Sequence, residues 1–103
     1  MHLGDLEMNT SLLNLNDFYL FTFASTSNAL KAESILKTQA MDFVMIPTLR
    51  EISSSCGLSI KIRPADLEKC KQTFFDHRIK AEKYYHVRKE DNKYLINEFP
   101  FSP

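Results

Sequence analysis

Residues 17–23 read DFYLFTF, five aromatic or aliphatic side chains in seven positions. As a strand this stretch sets Phe18 and Leu20 on one face and Tyr19, Phe21 and Phe23 on the other, so neither face is polar. Apolar character on both sides marks a central strand, covered above and below. The sequence on either side must therefore supply two covering layers.

Downstream, ASTSNALKAESILKTQA (residues 24–40) offers Ser25, Thr26 and Ser27 as N-caps. Ala29, Ala32, Leu36 and Ala40 then recur at helical spacing. DFVMIP (Asp42 to Pro47) is a second strand, stopped by its proline. GLSIKIR (57–63) alternates, with Leu58, Ile60 and Ile62 on one face and Ser59, Lys61 and Arg63 on the other. Pro64 opens a second helix with Asp66 and Glu68 in its first turn and His77 and Arg78 in its last, matching the helix dipole. EKYYHVR (82–88) is a last strand.

The order strand, helix, strand, strand, helix, strand fits a ferredoxin-like α+β domain, βαββαβ. That plan is a four-stranded antiparallel sheet with both helices on one face. It divides the chain into an N-terminal extension (1–16), a single domain (17–90) and a C-terminal tail (91–103). It also leaves the Phe18–Leu20 face of the first strand bare. A second copy of the chain, as a homodimer or higher oligomer, or the two extensions, is expected to cover it.

The 103 residues are 44% apolar and 25% charged, which suits one modest core. Thirteen basic residues balance thirteen acidic ones. That balance argues against a nucleic-acid partner bound through its phosphates. GLSIKI also lacks the aromatics of an RNA-recognition strand. No apolar run reaches the length of a membrane helix. Asp5 and Glu7 stand where a secretory leader would carry positive charge, so a cytoplasmic protein with free thiols is expected. His2, His77 and His86 are scattered, there is no CxxC, and neither a metal nor another cofactor is expected.

Two further patterns carry no chemistry. Ser34-Ile-Leu-Lys37 has SxxK spacing on a helix with no companion motif. His86, on a strand, reads as a surface or packing residue.

The remaining stretch, REISSSCGLSI (50–60), puts Ser53, Ser54, Ser55 and Cys56 before Gly57. Nine residues separate Pro47 from Gly57, whereas a hairpin needs about two to five. Gly57 is expected at positive φ, and the serines as an anion-binding nest. Arg50, Lys61 or Arg63 beside Cys56 would favour its thiolate. If TLREISSSCG were instead a short helix capped by Thr48, Cys56 would lie at its C-terminus, where the dipole opposes an anion. Cys70 shares a helix face with Leu67 and Phe74 and reads as a core cysteine.

REISSSCGLSIKI, preceded by FTFASTSNALKAESILK and followed by RPADLEKCK, resembles the selenium/sulfur carrier-like family of small bacterial domains. The resemblance runs from about Phe18 to Phe75. It implies a carrier thiol at Cys56, holding sulfur or selenium as a persulfide-type adduct and exchanging it with donor and acceptor proteins. Arg50, Ser53, Ser54, Ser55 and Gly57 would form the motif around the thiol. Ser25, Thr26 and Ser27 match the family's upstream junction, where free N–H groups at a helix start would face an anionic adduct. Such a carrier needs an exposed cysteine. A buried or inert Cys56 would favour the alternative, a non-catalytic module that binds a small ligand or a protein through a structural Ser-Cys-Gly loop.

Overall fold

The structure, a computed structural model, describes residues 12–54 and 56–101. Its elements are β1 (Asp17–Thr22), α1 (Thr26–Thr38), β2 (Val44–Pro47), β3 (Leu58–Ile62), α2 (Leu67–Asp76), β4 (Lys83–Glu90) and β5 (Lys93–Pro100). A 3-10 turn, Pro64–Asp66, leads into α2. The fold is α+β: two helices and a five-stranded sheet in the order β2-β3-β1-β4-β5, every neighbouring pair antiparallel. β1 is central, as its two apolar faces demand.

The sheet has five strands where four were expected. The fifth comes from residues 91–103, expected to be a tail. Asp91 and Asn92, at φ 51° and 64°, make a two-residue turn that brings Lys93 opposite Glu90. Two successive positive φ values are what a tight hairpin requires, and Asp and Asn tolerate them better than most residues.

α1 begins where Ser25 accepts a hydrogen bond from the Asn28 N–H at 3.2 Å, satisfying one of the helix's open donors. It ends with Ala40 at φ 54°, the Ala40 N–H bonding Lys37 O and the Met41 N–H bonding Leu36 O. α2 ends the same way, with Arg78 at φ 55°, its N–H on Phe75 O and the Ile79 N–H on Phe74 O. Both are Schellman closures with a side chain in the position that glycine usually takes.

Each sheet face carries its own core. On the helix face, Phe21, Phe23, Ile60 and Ile62 pack with Ala29, Ala32 and Leu36 of α1 and Cys70 and Phe74 of α2. The Phe21 ring meets Phe74 edge-on at 5.0 Å, a favoured aromatic geometry. On the other face, Phe18, Leu20, Tyr85 and Val87 pack with Ile52, while Leu15, Leu49, Tyr94 and Ile96 close over them. Phe18 and Leu20 are 3% and 0% exposed. Of the two covers expected for this face, the extensions supply it: the segment before β1 and β5 bury it together with the β2–β3 loop.

Lys61 follows from this. Alternation sets Ser59 and Lys61 on the helix-free face, yet both are buried because that face is covered. The Lys61 ammonium donates to Leu13 O at 2.9 Å and lies 4.1 Å from the centroid of the Phe18 ring.

Candidate functional site

The β2–β3 loop runs round one end of the sheet. Leu49 and Ile52 pack on the helix-free face, and Cys56, four residues later, packs on the helix face beside the core of Phe23 and Ala29. Crossing the sheet end while covering the second face accounts for the loop's length. The segment is not a helix: a turn bonds the Ile52 N–H to Leu49 O, and Thr48 spends its hydroxyl on the Cys56 carbonyl at 3.1 Å and on Ser59 Oγ at 2.7 Å. The helix C-terminus that would have opposed an anion at Cys56 is therefore absent.

Around the sulfur, segments thirty residues apart in sequence meet. Thr26 Oγ1, in the first turn of α1, lies 3.8 Å from Cys56 Sγ. The Leu58 N–H donates to the same sulfur at 3.4 Å. Ser54 ties the loop down, its Oγ accepting from the Cys56 N–H at 3.3 Å and donating to Phe23 O at 3.4 Å. A hydroxyl, a backbone N–H and the first turn of a helix thus converge on the sulfur.

The sulfur is nevertheless covered. Cys56 is only 2% exposed, against the expectation of an open thiol. Thr26, whose hydroxyl lies against the sulfur, is itself exposed, as are Ser53 and Gly57 of the adjoining loop, and Ser54 is half-buried.

The other expected site residues divide as follows. Ser25 caps α1 and Ser27 is exposed in its first turn. Arg50 and Ser53 are exposed on the loop, and neither bonds the sulfur among the described residues. Ser55 lies outside the described residues. Lys61 and Arg63 do not serve Cys56: Lys61 is on the opposite face, and Arg63 pairs with Asp42 at 3.1 Å. Gly57 is not at positive φ, and a Cβ built on it would meet nothing within 4 Å. Neither backbone conformation nor packing within the chain calls for glycine there.

Sequence reasoning missed one contributor and gave another a different role. One is the Leu58 N–H, which no side-chain pattern reveals. The other is Thr48, weighed as a helix cap but found tying the loop's end to β3 through the Cys56 carbonyl and Ser59.

Cys70 is a core residue, 0% exposed; burial, with the nearby Asp66 carboxylate, pushes its thiol up to about 12. It holds no thiolate at neutral pH. His86 stacks on Tyr19 at 4.6 Å and bonds Asp17 Oδ1 at 2.7 Å, on a part of the sheet that makes no contact with Cys56 among the described residues. Among the described residues, no helix is long and apolar enough to cross a membrane.

A family model described as Putative Se/S carrier protein-like matches residues 18–86. No curated protein and no solved structure gives a match.

Proposed function

The chain belongs to the Se/S carrier protein-like family, and from that premise we propose that Cys56 is a carrier thiol that receives and passes on a single sulfur or selenium atom. The observation that carries this reading is the meeting of Thr26 Oγ1 and the Leu58 N–H on Cys56 Sγ. A cysteine present only for packing needs neither. We read the inner strands β2-β3-β1-β4 and the two helices as a ferredoxin-like core to which β5 is added.

The step conserves atoms and electrons. The Cys56 thiolate attacks the terminal sulfur of a donor protein's persulfide, R–S–SH. A bond forms between Cys56 Sγ and that sulfur while the donor's S–S bond breaks, its electron pair leaving on R–S⁻. Cys56 now carries –S–SH. An acceptor's thiolate repeats the attack and restores the Cys56 thiolate. No net oxidation occurs and no cofactor takes part. Selenium travels in the same way as a selenosulfide. Thr26, Leu58 N–H and the start of α1 stabilise the leaving or attacking thiolate, and Ser54 holds the loop in place.

Burial of Cys56 supports a second reading, the non-catalytic binding module with a structural Ser-Cys-Gly loop. Alkylation in a Cys70→Ala background separates the two. A carrier must open its cover locally, so iodoacetamide labels Cys56 at a rate that stays flat through low urea concentrations. In a structural loop the thiol is reached only by global unfolding, and labelling climbs steeply with urea from the first addition. The second pattern would end the carrier reading.

A further inference from the structure

A cleft of about 290 Å3 opens on the helix-free face, between the segment preceding β1 and the sheet. Lys61, Lys89, Asn14 and Asn16 supply its polar lining, and Phe18 and Tyr94 contribute to the apolar side. It lies across the sheet from the Cys56 sulfur and does not depend on what that thiol does.

Lys61 is the residue that needs explaining. It is 5% exposed, yet among the described residues its ammonium has only neutral company, the Leu13 carbonyl and the Phe18 ring. Among the described residues no carboxylate pairs with it. An ammonium carries three donors, and the carbonyl uses one. Burying a charge without a counter-charge is costly, and burial accordingly pushes the Lys61 pKa down. Lys89 adds a second ammonium at the exposed rim, 5.9 Å from the centroid of the Tyr94 ring. Its backbone N–H bonds Asn16 O at 2.7 Å, fixing that asparagine beside the cleft.

We propose that this cleft is a binding site for a small organic anion, its carboxylate or phosphate head on the Lys61 and Lys89 ammonium groups and the Asn14 and Asn16 amides, its short body against Phe18 and Tyr94. The volume sits just under the usual range for ligand pockets, which suits a small ligand. Lysines suit such a head as mobile point charges, without the fixed fork of arginine.

The test is a titration of the full 15N-labelled chain with butyrate and with inorganic phosphate at pH 7 and constant ionic strength. The proposal expects saturable shifts at the amides of Asn14, Asn16, Lys61 and Lys89, lost in Lys61→Met and weakened about tenfold in Lys89→Ala. Saturation by butyrate alone identifies a carboxylate with an apolar body, and by phosphate alone a phosphate head. Should Lys61→Met fail to fold, Lys89→Ala, altering an exposed side chain, decides the matter. Shifts that grow without saturating, or that are indifferent to Lys89→Ala, overturn the proposal. So does saturation that appears only in an Asp5→Asn, Glu7→Gln variant, because the chain's own carboxylates would then be the occupant.

Discussion

Cys56 and Cys70 belong to one core cluster but sit in opposite chemical settings. Cys70 has apolar neighbours and a raised pKa, from 9.0 to about 12. Its neutral thiol is favoured by the fold, so the unfolded chain ionises first as pH rises. The stability it contributes is intact below pH 9 and is lost progressively between 9 and 12. Urea unfolding across that range should show a shallower alkaline decline in Cys70→Ala than in the wild type; parallel declines would contradict the assignment. At Cys56 the polar contacts are few, so each should count. Thr26→Val, an exposed substitution, should leave stability within about 0.5 kcal/mol yet slow Cys56 alkylation about threefold through loss of one weak hydrogen bond to the thiolate. Gly57 offers the reverse separation. Its backbone accepts a side chain and a Cβ meets nothing, so Gly57→Ala should raise stability by about 0.5 kcal/mol.

The helices close at a cost that can be removed. Ala40 and Arg78 occupy the left-handed region at φ 54° and 55°, where a side chain costs roughly 1–2 kcal/mol. Glycine relieves that strain but adds freedom to the unfolded chain, leaving a net gain of about 0.5–1 kcal/mol for Ala40→Gly or Arg78→Gly in urea unfolding. The element that sequence reading lost, β5, shows where periodicity fails. It lies at the sheet edge, with only Tyr94 and Ile96 half-buried and the rest of the strand exposed, so little apolar alternation marks it. The signal lay instead in Asp91-Asn92, a turn pair between two runs that could form strands. β1 was legible for the opposite reason: coverage of both faces left an unbroken aromatic and aliphatic run, Phe18 to Phe21, between Asp17 and Thr22. The first helix was legible through its Ser-Thr-Ser start, and the second through Pro64. β5 also anchors the end of the helix-face core, since Phe101 beyond it packs edge-on against Phe21 at 6.0 Å and Phe74 at 6.2 Å. Phe101→Ala should therefore cost about 2 kcal/mol, below the usual range for a fully buried phenylalanine.

For the whole molecule, the covered helix-free face changes the expectation about assembly. Phe18 and Leu20 were the reason to expect a second copy or the two extensions over this face, and residues of the same chain bury them. Sedimentation at micromolar concentration should then give a monomer. The same wrapping explains why the candidate site was only partly legible. The sequence names the cysteine, the serines and the upstream Ser-Thr junction, and Thr26, Ser54 and Cys56 do come together. It could not reveal that the loop crosses the sheet end, that Arg50 makes no bond to the sulfur among the described residues, or that the thiol is buried, because these depend on which face takes the loop's apolar residues. The central claim, that Cys56 carries a transferable atom, is tested most directly by incubating the Cys70→Ala chain with glutathione persulfide and weighing the intact protein. The account predicts the gain of one sulfur atom on Cys56, its removal by an added thiol acceptor, and no gain in a folded Cys56→Ser chain. A folded protein whose Cys56 gains no sulfur, or holds it against every thiol acceptor, would contradict the account.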